Sequence, residues 1–323
     1  MKTTVTFDPP EDPIDLPALG SCPEQKHVFE EKSTWAVRGA LATGRPLLVR
    51  GEPGSGKSQL ARAAAWVLKR PWLTEVITCH STSEDLLWQF DAVARLGNAQ
   101  VMGALRDENW GEKLREYRFL KPGPLWWAFS WKSASNQLVN YFNPENPPPY
   151  HEKVSPDKGV VLLIDEIDKA DADLPNGLLD ALGNGGFNPP YGIAPVRQVA
   201  GKEPLVVITT NEERELPAAF LRRCLVLNLK LPEERENLLE FLMNRGQVHF
   251  PGSEPELRKK AAHLLLDERE KAKRQGLPRP GQAEYIDMLR AVIRLKNKHP
   301  DIKTIDILEH VSAFTLKKHP PGI

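Results

Sequence analysis

The chain has 323 residues and carries 43 Lys and Arg against 43 Asp and Glu, so no net basic field marks it as a nucleic-acid or membrane-surface protein. The length suggests about two domains, and the three cysteines, Cys22, Cys79 and Cys224, have neither disulfide-framework nor zinc-ligand spacing, which reads as a reduced, cytoplasmic protein. The start lacks an apolar leader and no run of about 18 apolar residues occurs, so neither a signal peptide nor a membrane span is expected.

Residues 1–26 are rich in proline and acidic side chains with little periodicity, which predicts an extended arm rather than a folded unit. Order is expected to begin near His27, where Phe29, Trp35, Ala36 and Leu41 follow a helical period into the apolar run Pro46 to Val49. Directly after that run comes Gly51-Glu52-Pro53-Gly54-Ser55-Gly56-Lys57-Ser58-Gln59, which opens an alanine-rich helical stretch. A strand that turns through glycines into a helix aims backbone N–H groups and the positive end of the helix dipole at one anion, the phosphates of a nucleotide. In this pattern Lys57 reaches the β/γ-phosphates and the Ser58 hydroxyl is set for Mg2+.

Further apolar runs at Glu75 to Thr78, Val160 to Ile164, Leu205 to Thr209 and Leu225 to Leu229, separated by helical patterns, predict a buried parallel sheet. Asp165 and Glu166 follow the Val160 run, at the carboxyl end where open α/β sheets bind ligands. Asp165 is suited to the Mg2+ shell and Glu166 to orienting the water that attacks the γ-phosphoryl group. Asn211 stands at the tip of the next strand, where an uncharged amide can bond both the γ-phosphate and that water. In Leu216 to Cys224 the short helix ends in Arg222 and Arg223, whose guanidinium forks suit a transferring phosphoryl group, and the position past the Asn211 strand directs them to a neighbouring subunit's site. Beyond Pro232 only helical periods remain. The first, through Leu238, Leu239, Phe241 and Leu242, is expected to stop at Gly246; three more carry Leu257 to Leu265, Tyr285 to Ile293 and Ile305 to Phe314. The expected organisation is an arm over 1–26, a nucleotide-binding α/β domain over 27–230 with an insertion at about 91–159, and a helical domain over 231–323.

These elements in this order resemble the AAA+ ATPases, and the finer texture is similar to the MoxR branch. The resemblance runs from about His27 to Phe314 and rests on Gly51 to Ser58, Val160 to Ala170, Thr209 to Asn211, Leu216 to Arg223, and the Gly123-Pro124-Leu125 turn. It implies an α/β P-loop NTPase fold with a parallel five-stranded sheet in the order 5-1-4-3-2, flanked by helices and followed by a small all-helical lid. It implies ATP and Mg2+ as ligands, with Lys57 and Ser58 as nucleotide and metal contacts, Asp165 and Glu166 as the Walker B pair, and Asn211 as sensor 1. Arg223 matches the family's trans-acting finger, while Arg222 stands where the family has Asp, so the two arginines remain alternatives. Arg279, in Gly276-Leu-Pro-Arg279-Pro280, matches the sensor 2 turn and becomes a candidate contact to the γ-phosphate.

The resemblance further implies a homo-oligomeric ring, usually a hexamer, that remodels or activates a protein client or a von Willebrand factor A-type partner. A nucleic-acid motor or the nucleotidase subunit of a restriction or defence system is the alternative, which the neutral composition does not favour. A third reading is an assembly switch that acts through nucleotide binding alone. Lys57 and Asp165 lie 108 positions apart, longer than compact members need, and the added chain holds Trp110, Trp126, Trp127, Phe129, Trp131 and a proline-rich loop from Asn143 to Pro156. Those rings serve either as anchors for a partner or pore polypeptide or as the insertion's own core.

Overall fold

The computed structural model describes residues 6–20, 22–105, 110–142 and 145–316. The chain divides into two units, Met1–Arg50 with Ser58–Leu227, and Gly51–Lys57 with Asn228–Ile323.

In the first unit β1 (Ile14–Leu16) pairs antiparallel with β2 (Gln25–His27), and Asp15 and Lys26, directly opposite, form an ion pair at 2.8 Å. Order therefore begins well before His27. Proline removes helix propensity from this segment but not its apolar side chains: Phe7, Ile14 and Leu16 are buried, and the last two pack with Ala63. α1 (Glu31–Thr43) leads to β3 (Leu47–Arg50), α2 (Lys57–Leu68) and β4 (Trp72–Val76). β4 begins three residues before the expected run at Glu75. As an edge strand it alternates buried and exposed positions, so no continuous apolar run marks it.

α3 (Ser83–Leu87) and β5 (Trp88–Phe90) come next, and the insertion then folds as α4 (Ala92–Leu105), α5 (Trp110–Lys113), β6 (Leu120–Pro122), α6 (Pro124–Phe129) and α7 (Trp131–Asn140), with β6 antiparallel to β5. Thr82 and Asp85 cap α3 reciprocally, and Pro124 occupies the first turn of α6, where its missing N–H costs nothing. Trp126, Trp127 and Phe129 are buried in the unit's main core and Trp131 packs against it, so these rings belong to an interior shared with the sheet. The side chain of Trp110 and residues 143 and 144 lie outside the described residues. On α4 the apolar side chains Val93, Leu96 and Val101 are exposed, at 83%, 63% and 57%, as is Val139 on α7.

β7 (Val161–Asp165), α8 (Asp173–Asn184), the hairpin β8 (Gly186–Phe187) with β9 (Val196–Arg197), β10 (Leu205–Thr210), α9 (Ala218–Leu221) and β11 (Leu225–Asn228) complete the unit. The five main strands form a parallel sheet in the order β11-β3-β10-β7-β4, which is 5-1-4-3-2 along the chain. Leu48, Leu162, Ile164, Val206 and Ile208 face the core that holds the insertion's aromatic rings. Their neighbours of opposite parity, Leu47, Val49, Val161, Leu163, Leu205 and Val207, are equally buried, so the sheet is covered on both faces.

The second unit is built from α10 (Arg235–His249), α11 (Pro255–Gln275), α12 (Gln282–Lys298) and α13 (Thr304–Thr315) around Leu242, Leu265, Tyr285, Met288, Leu289 and Leu308. α10 does not stop at Gly246. A Cβ there would lie 2.5 Å from the Tyr285 hydroxyl and 3.0 Å from Arg258 Cδ, so the glycine permits close packing within the helix rather than ending it. Among the described residues no helix is long and apolar enough to cross a membrane.

Candidate functional site

The phosphate-type loop joins β3 to α2. Gly54 and Gly56 have φ of 74° and 92°, a region closed to most side chains, and this lets the chain turn within six residues. Lys57 Nζ donates to the carbonyls of Gly51 at 2.7 Å and Glu52 at 3.1 Å, so the ammonium is held inside the loop it closes. Ser55 Oγ is buried and has no hydrogen-bond partner among the described residues, a polar atom in the loop that fits an anion's oxygen. Ser58 Oγ donates to both carboxylate oxygens of Asp165, at 3.0 and 2.9 Å, tying the start of α2 to the last residue of β7. One hydroxyl and one carboxylate are a hard-oxygen donor set that suits Mg2+, which takes few protein ligands and completes its shell with water and phosphate. Among the described residues no cluster of three His, Cys, Asp or Glu side chains offers a fuller metal cage.

Asp165 also accepts from the Thr209 hydroxyl on the adjoining β10, and that same hydroxyl accepts from the Glu166 N–H at 2.9 Å. Glu166 itself has φ 60°, ψ 48°, left-handed for a residue with a full side chain. The strain turns the chain sharply off β7 and holds the Glu166 carboxylate toward β10, where Asn211 Nδ2 donates to its Oε1 at 3.2 Å. Lys169 bonds the other carboxylate oxygen, and this hydrogen bond and charge raise the Lys169 ammonium above its usual range. Asp165, Glu166 and Asn211 thus converge at the carboxyl ends of β7 and β10, with Ser58 beside them.

The remaining candidates are placed differently. Gln59 donates its amide to Lys26 O at 2.8 Å, away from the loop. Pro53 sets its carbonyl 3.1 Å from the place a Cβ on Gly281 would take. Glu52 receives both Arg269 guanidinium nitrogens at 3.1 Å and also the guanidinium of Arg279. Arg279 therefore rests on a carboxylate of the loop itself, while Arg269, 8% exposed, also donates to Pro280 O at 2.6 Å. Arg222 and Arg223 are exposed and, among the described residues, have no ion-pair partner. Their backbone is held by Arg45, whose Nε donates to Arg223 O at 3.0 Å and whose fork also reaches Arg222 O.

Sequence reasoning missed Asp168, Lys169, Thr209, Arg45 and Arg269. Arg269 carried a readable signal: it falls on the stripe Leu257, Ala261, Leu265, Ala272, where a charge on a buried helix face demands a partner. Asp168, 2% exposed, carried none, because its partners Asn211 and Glu213 lie 43 and 45 residues away along the chain.

Residues 46–224 match the family described as AAA domain (dynein-related subfamily). The chain belongs to this family. It is an AAA+ ATPase-type domain with a five-stranded parallel sheet and a helical region after it. It is also similar to a solved structure, a proline-to-glycine mutant of RuvB from Thermotoga maritima, with 16% identity over 88% of this chain and 68% of that one at a TM-score of 0.46. No curated protein matches it.

Proposed function

We propose that this AAA+ protein hydrolyses ATP with Mg2+ and, as a MoxR-branch ring, couples the reaction to remodelling or activating a partner protein. The observation that carries the ATPase reading is the set of bonds joining Ser58 to Asp165 and Asn211 to Glu166 at neighbouring strand ends. Those four residues are the groups that the two halves of phosphoryl transfer need, one pair for the metal and one for water. Lys57 and the amides of the glycine loop bind the phosphates. Ser58 and Asp165 hold Mg2+, which supplies neutralisation of charge on the phosphate oxygens. Glu166 accepts the proton of the attacking water as the water oxygen bonds to the γ-phosphorus and the bond from that phosphorus to the bridging oxygen breaks, releasing ADP and phosphate, and Asn211 keeps that carboxylate aligned.

Arg223, or Arg222 beside it, reaches a neighbour's nucleotide in the ring. Its exposure and lack of an ion-pair partner among the described residues support this reading. The ring, its hexameric count, the client and a von Willebrand factor A-type partner follow from the resemblance to the MoxR branch.

Calorimetry with Mg2+ and ATP, alongside phosphate release, tests the core of this reading. The parent and Glu166→Gln should both bind ATP, with turnover of the variant lower by about 10² to 10⁴, and Lys57→Ala should not bind. Absence of binding by the parent, or parent-rate turnover by Glu166→Gln, would refute it. Stimulation by a co-purifying protein supports client remodelling, whereas stimulation by nucleic acid that is lost at high salt transfers the function to the nucleic-acid alternative.

A further inference from the structure

Asp168 is nearly fully buried, and among the described residues no Lys or Arg lies at ion-pair distance from it. A carboxylate in that position is costly unless its oxygens are satisfied. They are satisfied by the backbone of the turn that follows β10. The N–H of Asn211 donates to Oδ2 at 3.2 Å and to Oδ1 at 3.4 Å, and the N–H of Glu213 donates to Oδ2 at 2.9 Å. Between these two donors Glu212 is held in a left-handed conformation, φ 62°, with its own N–H on Thr210 Oγ1 at 2.9 Å. A non-glycine residue keeps such a backbone only where its surroundings over-determine it. The left-handed Glu166 turns the chain so that Asp168, two residues later, faces β10.

We infer that Asp168 is a positioning residue: its buried carboxylate clasps the turn after β10 and thereby sets Asn211 against Glu166. The inference rests on the ATPase reading for its catalytic consequence, while the clasp itself stands on the geometry. Asp suits the task better than Asn because both carboxylate oxygens accept and neither donates, and the two N–H bonds to it are charge-assisted. No bond is made or broken at Asp168. It acts by restricting where the Asn211 amide can be.

Amide hydrogen exchange over residues 209–214 and steady-state kinetics decide the matter, using the full chain as parent, Asp168→Ala, Asp168→Asn, Asn211→Ala and the double variant Asp168→Ala with Asn211→Ala. Asp168→Ala should lose protection at Asn211 and Glu213 by roughly tenfold or more, with protection of the sheet strands kept. Its kcat should fall about tenfold or more while KM for ATP stays within about threefold. Asp168→Asn, with one acceptor oxygen left, should recover part of both. In the Asn211→Ala background, Asp168→Ala should add less than about threefold, because the two residues act as one unit. Unchanged exchange at Asn211 and Glu213 in Asp168→Ala would overturn the clasp, even in a protein that never turned over ATP. Full multiplication of the two kinetic losses, or kcat and KM failing together with protection lost across the sheet, would overturn the positioning role while leaving the ATPase reading intact.

Discussion

Arg45 lies at the surface, yet its guanidinium is committed to the carbonyls of Arg222, Arg223 and Cys224, so the backbone beneath two exposed arginines is pinned while their side chains stay available. Cys224, the next residue, is buried, and burial pushes its thiol up to about 11. Because the thiolate is the nucleophile, a thiol raised this far is protonated near neutral pH and also out of reach. Mass spectrometry after brief alkylation should therefore find exposed Cys79 modified and Cys224 untouched, with Cys224 reacting only once denaturant opens the fold. Early labelling of Cys224 would mean that this segment is not packed as described. At this scale the residues that were legible, Lys57, Ser58, Asp165 and Glu166, belong to patterns of neighbours along the chain. Asp168 and Thr209 were not legible because their partners are 43 and 44 residues away and are met only when β7 and β10 lie side by side.

Gly246 in α10 sets two known effects against each other. In an open helix Gly→Ala gains about 1 kcal/mol from reduced backbone entropy in the unfolded chain. Here the added methyl would stand 2.5 Å from the hydroxyl of Tyr285, which is fully buried and donates to Arg258 O at 3.3 Å. Overpacking of that kind costs about 1–3 kcal/mol, and Tyr285 has no solvent to swing into, so the clash outweighs the entropic gain. Gly246→Ala should lower unfolding stability in urea, whereas Gly→Ala at exposed Gly97 of α4, which has open space around it, should not. Stabilisation at Gly246 would show that α10 and α12 have room to separate. The helical periods of this unit were readable from sequence, but the glycine was misread as a terminus because composition cannot tell a helix end from a close crossing.

Assembly is the property no single chain displays. If Arg223 completes a neighbour's site, an Arg223→Ala subunit still binds ATP in its own loop but leaves the adjoining site slow, while a Lys57→Ala subunit binds nothing but offers an intact arginine. Mixing the two inactive variants should restore turnover at interfaces where an Arg223→Ala subunit's nucleotide meets a Lys57→Ala subunit's arginine. Recovery should peak at intermediate ratios in a phosphate-release assay. No recovery at any ratio would argue against trans action, and recovery with Arg222→Ala in place of Arg223→Ala would move the role to Arg222. An arginine contribution of about 10³ to 10⁵ in rate makes even partial recovery measurable.

Local pattern alone determined the glycine loop, the strand ends bearing Asp165 and Asn211, the five-stranded α/β class and the helical region after Pro232, because each is written in consecutive residues with a period or a turn chemistry of its own. Tertiary structure alone decided that Trp126 and Trp127 are core, that β1 and β2 pair ahead of α1, that Glu52 engages Arg269 and Arg279, and that a buried Asp168 holds the Asn211 turn. Those outcomes depend on which distant residues share a volume from which water is excluded, and apolar rings and paired charges acquire their partners only there.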